Sequence, residues 1–152
     1  MLDTPETVLA LDFGARRIGV AVGTTLTGTG GPLPAILVPA SHAPGDADFE
    51  RIAVLAREHG AARIVVGCPY NADGSEGPQT VRARAFAAGL ERRSPLPVHR
   101  VDERYSSLEA GQRLRERRAS GRLRRRVDAA AVDSAAAVVI LERWLAGERE
   151  GG

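Results

Sequence analysis

Short apolar runs separated by turns dominate the N-terminal part of the chain. Residues 7–13 and 16–24 are two such runs, and the Gly-Ala turn between them is so short that it predicts an antiparallel pair of strands. The run at 32–38, which ends at Pro39, predicts a third strand. The pattern therefore predicts a three-stranded meander.

Helical and extended patterns alternate after the meander. Apolar residues recur with helical spacing in four segments, and two apolar runs between them predict parallel strands. In the second helical segment, Val81, Ala85, Phe86 and Leu90 form the predicted buried face. The predicted helices are 46–59, 79–92, 106–119 and 129–145, and the predicted strands are 62–68 and 97–101.

The order of these elements predicts the fold class. Three strands followed by helix, strand, helix, strand and two helices predict an α/β protein with a mixed five-stranded sheet. Three of the strands are expected to be antiparallel and two parallel, with helices on both faces of the sheet. A chain of 152 residues is long enough to bury a sizeable core. We therefore expect a single domain that spans residues 1–150.

Composition excludes some classes of protein. No run of about 18 apolar residues occurs, so we expect no membrane-spanning segment. The first residues are acidic and contain no apolar signal segment, which leads us to expect a cytoplasmic protein. The single cysteine, Cys68, cannot form an internal disulfide and fits a reducing compartment.

The arginines are unevenly distributed along the chain. All 21 basic residues are arginine, and the segment 113–126 contains eight of them with one glutamate, a net charge of +7. The rest of the chain has 13 arginines against 18 acidic residues. Closely spaced arginines repel one another and bind phosphate bidentately, so the segment predicts an anionic partner such as nucleic acid. A solvated helix surface is the alternative interpretation.

Three carboxylates stand where an unpartnered charge is costly. Asp12 ends the first apolar strand, Glu103 follows the strand at 97–101, and Asp133 interrupts the alanine-rich last helix. If these two strands are neighbours, Asp12 and Glu103 lie close together at the carboxyl ends of strands. Carboxylate oxygens suit Mg²⁺ or Mn²⁺, so the three acids predict a divalent-metal site. Asp102 is an alternative to Glu103, because neighbouring residues in a strand face opposite sides.

Four segments resemble the signature motifs of one protein family. They are 11–23 (LDFGARRIGVAVG), 64–74 (IVVGCPYNADG), 101–110 (VDERYSSLEA) and 132–141 (VDSAAAVVIL). In this order they resemble the motifs of the RuvX family, which is also called YqgF. The four segments extend over nearly the whole chain, so the resemblance is not confined to one local motif.

The resemblance implies an RNase H-like fold, related to that of the RuvC Holliday-junction resolvases, and a metal-dependent nuclease activity. It implies that Asp12, Glu103 and Asp133 are the catalytic residues and ligate Mg²⁺ or Mn²⁺, with Asp12 shared between two ions. Members of the family are linked to maturation of the 5′ end of pre-16S ribosomal RNA, and some to cutting of branched DNA.

Basic and polar residues near these motifs are candidate substrate-binding residues. Arg16 and Arg17 are close to Asp12 in sequence, but strand alternation places only one of them on the same face as the acid. Asn71 lies in a polar loop after a strand, and Arg104 directly follows Glu103. The whole set is Arg16, Arg17, Asn71, Arg104, Arg113, Arg117, Arg122, Arg124, Arg125 and Arg126.

Two other classes of function are compatible with parts of the sequence. An ATPase or sugar kinase of the actin type also begins with Asp-x-Gly before an antiparallel strand, but it needs two such lobes. A catalytically silent nucleic-acid-binding factor in ribosome assembly would use the arginines without needing the acids. The sequence leaves open whether the substrate is structured RNA or branched DNA, whether cutting is endo- or exonucleolytic, and whether the protein is a monomer or a homodimer.

Overall fold

The computed structural model describes residues 4–14, 16–38, 45–103 and 133–147. These residues form one five-stranded sheet and three helices. The strands are β1 (Thr7–Phe13), β2 (Arg17–Thr24), β3 (Gly30–Leu37), β4 (Ala61–Cys68) and β5 (Val98–Asp102), and the helices are α1 (Asp46–His59), α2 (Pro78–Arg93) and α3 (Ala135–Leu145).

The strand order across the sheet is β3-β2-β1-β4-β5. The pairs β1–β2 and β2–β3 are antiparallel, whereas β1–β4 and β4–β5 are parallel. This arrangement confirms the predicted mixed five-stranded sheet. It also shows that β1 and β5 are not neighbours, because β4 lies between them. The helix predicted at 106–119 lies outside the described residues.

Helix α1 spans the residues that its periodicity predicts. It begins after Gly45, whose N–H donates to the Asp48 carboxylate at 3.0 Å. It ends at Gly60, which adopts the left-handed conformation (φ 65°) that glycine reaches without strain. Among the helices of the described ranges, none is both long enough and apolar enough to cross a bilayer.

Large side chains fill the space between the sheet and the helices α1 and α2. The ring centroids of Phe49 and Phe86 are 5.6 Å apart, and Phe86 stacks on Phe13 of β1 at 4.8 Å. Burial of each such side chain stabilises the fold by roughly 1.5–3 kcal/mol. The buried strand residues of this core are Leu9, Leu11, Ile18, Val20, Ile36, Ile64 and Val66.

Helix α3 packs on the opposite face of the sheet, against smaller residues. Alanines of β1, β2 and α3 belong to this second core, together with larger residues of α3 such as Trp144. A Cβ added to Gly67 would lie 2.3 Å from Ile140 Cδ1, and one added to Gly30 would lie 2.3 Å from Leu141 Cδ2. Because these strand positions lack side chains, α3 lies close to the sheet.

Helix α2 buries only part of the predicted face: Phe86 and Leu90 are buried as predicted. Val81 is 57% exposed and Ala85 is also exposed, so the prediction that both are buried is wrong. Thr80 is buried instead, and its hydroxyl donates to the carbonyl of Pro69 and accepts from the N–H of Gly77 at 3.0 Å. These bonds orient the first turn of α2. The buried residues of α2 are Thr80, Ala83, Phe86, Ala87, Gly89 and Leu90.

Candidate functional site

Asp12 lies near the C-terminal end of β1, on the face of the sheet that α3 covers. Val8 and Ala10 belong to the core under α3, and residues two apart in a strand share a face. The register partner of Asp12 on β2 is Gly19. Burial raises the pKa of the Asp12 carboxyl above its ordinary value, because loss of water disfavours the charged form. A bound cation would offset this cost.

Glu103 directly follows β5 and is buried, with 6% of its surface exposed. Its N–H donates to the carbonyl of Cys68 at 3.0 Å, so the backbone continues the pairing of β4 and β5 beyond the last strand residue. Its carboxyl carbon lies 2.9 Å from the point that a Cβ on Gly67 would occupy. The same point lies 2.3 Å from Ile140 of α3, so Glu103 and Asp12 are on the same face.

Asp102, the alternative to Glu103, is placed differently. Val101 belongs to the core under α3, so strand alternation places the Asp102 side chain on the opposite face. The Asp102 carbonyl accepts a hydrogen bond from Arg143 of α3 at 3.2 Å. The structure therefore brings Glu103, rather than Asp102, to the face of Asp12.

Strand β4 separates Asp12 from Glu103. In the parallel register, Leu11 of β1 pairs with Val66, and Val101 of β5 pairs with Gly67. Asp12 comes one residue after Leu11, and Glu103 comes two residues after Val101. The two acids therefore lie on either side of the C-terminal end of β4. Gly67 contributes no side chain between them, which compensates for the fact that their strands are not neighbours.

Asp133 lies just before α3 and reaches the same edge of the sheet. Its Oδ1 accepts a hydrogen bond from Nη1 of Arg17, at the start of β2, over 2.5 Å. The two side chains are 26% and 51% exposed, respectively. The backbone carbonyl of Asp133 lies 2.8 Å from the point that a Cβ on Gly19 would occupy. Asp133 is therefore next to the register partner of Asp12.

The chemistry of these three carboxylates fits a hard divalent cation such as Mg²⁺ or Mn²⁺. The raised pKa of Asp12 also indicates a carboxyl group that lacks sufficient compensation from the protein. In the structure, however, Asp133 is paired with Arg17. Within the described part of the chain, no three acidic, histidine or cysteine side chains form a group that could hold a metal ion. The acids thus share one edge and face of the sheet without forming a closed ligand cluster.

The candidate substrate-binding residues fall in three places. Arg17 lies on the face of the acids and contacts Asp133, whereas Arg16 is exposed beside it. Asn71 lies in the loop after β4, where its amide donates to the Ser75 hydroxyl at 3.0 Å. The other candidates lie outside the described residues: Arg104, Arg113, Arg117, Arg122, Arg124, Arg125 and Arg126.

Two kinds of residue at this site were not singled out from the sequence. Gly19 and Gly67 permit close approach of the acids, but a single glycine in a strand is equally typical of a bulge or a bend. Ser134 is fully buried, and its hydroxyl accepts from the N–H of Val20 at 2.9 Å and donates to the carbonyl of Leu33 at 2.7 Å. A serine at a helix start is usually interpreted as an N-cap. The sequence therefore gives no sign that the Ser134 hydroxyl bonds to the sheet instead.

Comparison with protein families finds a match over almost the whole chain. Residues 6–147 match the model of the RuvX family, which is described as a Holliday junction resolvase. A protein of Xanthomonas campestris pv. campestris (strain B100) named "Putative pre-16S rRNA nuclease" is 47% identical over 144 residues, covering 95% of this chain and 90% of the relative. A protein of the same name from Xanthomonas oryzae pv. oryzae (strain PXO99A) is 49% identical over 140 residues, covering 92% and 87%.

Comparison with solved structures supports the same architecture. The chain is similar to RuvC of T. thermophilus in complex with a Holliday junction substrate, with a TM-score of 0.54 and 14% identity. The similarity covers 95% of this chain and 98% of RuvC. A structure of Thermus thermophilus RuvC gives a TM-score of 0.53 with 13% identity. At this level of identity, the similarity shows a common fold, as the sequence motifs led us to expect.

Proposed function

Because the chain belongs to the RuvX family, we propose that it is a divalent-metal-dependent nuclease that hydrolyses phosphodiester bonds. The observation that carries the proposal is the position of Asp12 and Glu103. Both carboxyls are withdrawn from water on one face of the sheet, at the C-terminal end of parallel strands, with Gly67 between those strands. Burial of a carboxylate without compensation is costly, and a divalent cation is a usual compensation at such a site.

We assign the catalytic and metal-ligating roles to Asp12, Glu103 and Asp133. Glu103 and Asp133 would each help to hold a Mg²⁺ or Mn²⁺ ion, and Asp12 would contribute to holding both. The bound ions supply Lewis acidity and stabilise negative charge at the phosphodiester. The Asp133 carboxylate is bonded to Arg17 in the structure, so Asp133 would hold an ion only with that bond broken and the Arg17 guanidinium released. Arg17 is then available to bind a phosphate oxygen of the substrate.

The proposed substrate contacts are made to phosphates and not to bases. Arg16, Arg17 and Asn71 lie at the end of the sheet that carries the acids, and guanidinium groups there can fix the substrate backbone. Arg104 and the arginines of 113–126 add positive charge from segments outside the described residues. Each phosphate contact should steepen the dependence of log affinity on log salt by about 0.7–0.9.

We propose precursor 16S ribosomal RNA as the first candidate substrate. The reason is that the relatives that are 47% and 49% identical are named "Putative pre-16S rRNA nuclease". A four-way DNA junction is the second candidate, because the matching family model is described as a resolvase. The two differ in the assembly they require: trimming an RNA end needs one site, whereas paired cuts in a two-fold symmetric junction favour a homodimer. Either role is compatible with a cytoplasmic location.

The proposal is tested by incubating the purified full chain with a 5′-extended 16S precursor fragment and with a four-way junction. Each reaction is run with Mg²⁺, with Mn²⁺ and with a chelator. The Asp12→Asn variant is compared with Asp46→Asn, which removes an exposed carboxylate from the other face of the sheet. Light scattering on the same samples gives the oligomeric state.

We expect cutting that requires metal, is lost in Asp12→Asn and persists in Asp46→Asn. The preferred substrate then decides between the two roles. Binding of either substrate without cutting under all conditions would contradict the nuclease proposal. That result would favour a catalytically silent ribosome-assembly factor.

A further inference from the structure

The start of α3 is bonded to the sheet at an irregularity in the pairing of β2 and β3. The register pairs Ile18 with Ile36 and then Val20 with Leu33, so β3 contains one extra residue at this point. The N–H of Val20 and the carbonyl of Leu33 belong to the first pair beyond the shift. The hydroxyl of Ser134 joins these two groups, at 2.9 Å and 2.7 Å.

Ser134 does not perform the usual function of a serine at a helix start. It is the residue before α3, but its side chain makes no capping hydrogen bond to the helix. Both hydrogen-bonding functions of the hydroxyl are directed to the backbone of the sheet, and the residue is fully buried. The hydroxyl therefore fixes the helix start relative to β2 and β3, and it does not stabilise the first turn of α3 itself.

This fixed point is immediately adjacent to Asp133. A Cβ on Gly19 would lie 2.8 Å from the Asp133 carbonyl oxygen, 3.3 Å from Ser134 Cα and 3.5 Å from Asp12 Cβ. Because Gly19 has no side chain, the backbone of Asp133 and Ser134 can approach β2 closely. The hydroxyl of Ser134 then fixes this backbone to the sheet. The absence of a side chain at Gly19 and the hydrogen bonds of Ser134 together keep the Asp133 backbone next to Gly19, the register partner of Asp12.

We propose that Ser134 is a positioning residue that sets the distance of the Asp133 carboxylate from Asp12. This inference rests on the proposed metal-dependent nuclease function. A hydroxyl one residue from a metal ligand, bonded to backbone on both sides, acts as an orienting group without touching the ion. Loss of a group that hydrogen-bonds a metal ligand typically weakens metal affinity by about 10–100-fold, and Ser134, which holds the backbone beside the ligand, should have an effect at the lower end of this range.

The chain offers a matched control for loss of a buried hydroxyl. Thr80 is also fully buried near the start of a helix, and its hydroxyl likewise donates to one backbone carbonyl and accepts from one backbone N–H. It belongs to α2, on the other face of the sheet from α3. Thr80→Ala should therefore lose comparable stability without altering the acids.

The test measures Mn²⁺ binding by the full chain, with free Mn²⁺ quantified from its paramagnetic resonance signal, and the melting temperature in chelator. We expect Ser134→Ala to weaken Mn²⁺ binding by about tenfold, the lower end of the effect of an outer partner. Ser134→Thr, which keeps the hydroxyl, should restore most of the affinity. Thr80→Ala should melt earlier than the parent chain and bind Mn²⁺ unchanged.

A second pair of variants tests the same placement with the hydroxyl intact. Gly19→Ala adds a methyl group against Asp133, whereas Gly31→Ala adds one to β3 where no atom lies within 4 Å. Only Gly19→Ala should weaken Mn²⁺ binding. Because this pair leaves Ser134 unchanged, it remains informative if Ser134→Ala does not fold.

Three results would overturn the inference. The first is that folded Ser134→Ala binds Mn²⁺ as tightly as the parent. The second is that Thr80→Ala loses as much Mn²⁺ affinity as Ser134→Ala. The third is that Gly19→Ala and Gly31→Ala change the Mn²⁺ affinity equally. Failure of the parent chain itself to bind Mn²⁺ would instead overturn the proposed function, and the inference with it.

Discussion

The two faces of the sheet are packed by different kinds of side chain. Under α1 and α2, stacked phenylalanines and branched aliphatic residues form the core, and no buried acid lies there among the residues that the structure describes. Under α3, alanines and glycines let the helix approach closely, and the same face carries Asp12 and Glu103 at its edge. The difference suggests a division of roles: one face packs large apolar side chains, and the other brings α3 close to the acids of the candidate site.

Phe49→Ala should have the largest effect on stability and none on the site. The ring is buried between α1 and α2, so truncation should lower the free energy of unfolding by about 3–5 kcal/mol. Chemical denaturation gives this value, and Val54→Ala on the partly exposed side of α1 is the control. Mn²⁺ affinity of the folded variant should equal that of the parent; a weaker affinity would show that the faces are not independent.

Gly67→Ala should have a smaller effect on stability but a large one on the site. Its methyl group would meet Ile140 at 2.3 Å and the Glu103 carboxyl carbon at 2.9 Å, so we expect a loss of about 1–3 kcal/mol from overpacking. Displacement of Glu103 should also weaken Mn²⁺ binding. Gly89→Ala is the comparison on α2, where the new methyl would meet only the Phe49 ring edge among apolar groups, at 3.1 Å. Equal Mn²⁺ affinities in the two variants would contradict this role of Gly67.

Asp12→Asn should stabilise the metal-free chain at neutral pH. Burial raises the pKa of Asp12, so the folded chain holds this proton more tightly than the unfolded chain does. Ionisation of Asp12 therefore costs stability as pH rises through the raised value, and this cost is absent at acid pH. We expect the variant to melt at a higher temperature than the parent at pH 7, because the amide carries no charge that burial would disfavour.

The difference between Asp12→Asn and the parent should shrink as pH falls and vanish below the ordinary aspartate range. Calorimetry in chelator between pH 3 and 8 measures it. Glu58→Gln removes an exposed carboxylate and controls for the change in net charge. A difference that stays constant over the whole range would show that burial of the charge is not its cause.

Arg17→Gln should have the smallest effect on stability. Its ion pair with Asp133 is about half exposed on the arginine side, and such pairs contribute less than about 1 kcal/mol. Nucleic-acid affinity should nevertheless fall, and its salt dependence should become shallower by about 0.7–0.9 if one phosphate contact is lost. Arg57→Gln removes a similar exposed pair from α1 and should change neither quantity. If the two variants had the same nucleic-acid affinity and the same salt dependence, Arg17 would not be a substrate-binding residue.

Much of the fold could be predicted because local patterns determine local structure. The continuous apolar run of β1 and the helical spacing of α1 each favour a particular backbone, and the structure has those elements at the predicted residues. The strand order could not be obtained in this way, because insertion of β4 between β1 and β5 depends on contacts between distant segments. The buried face of α2 was predicted only in part, because Thr80 orients the first turn through hydrogen bonds and the larger Val81 remains exposed.

The candidate site was predicted through its acids and not through the residues that support them. Carboxylates at element ends are conspicuous, and Asp12 and Glu103 lie on one face as the motifs imply. Ser134 and Gly19 have roles that depend on the register shift between β2 and β3, and no local pattern reveals a register. The catalytic roles themselves, like the binding roles of the arginines, stay predictions.

The bonds from Ser134 to the sheet connect residues separated by 114 and 101 positions in sequence. Closing such long loops is slow, because their entropy must be lost before the contacts contribute. During synthesis on the ribosome, the strands β1 to β3 are made first, and Asp133 is the last of the three acids to be made. A nascent chain can thus present Asp12 well before the third acid is synthesised, and if the three acids have the proposed catalytic roles, we expect activity to appear only when α3 has docked. Late docking would keep an incomplete chain from cutting nucleic acid during its own synthesis.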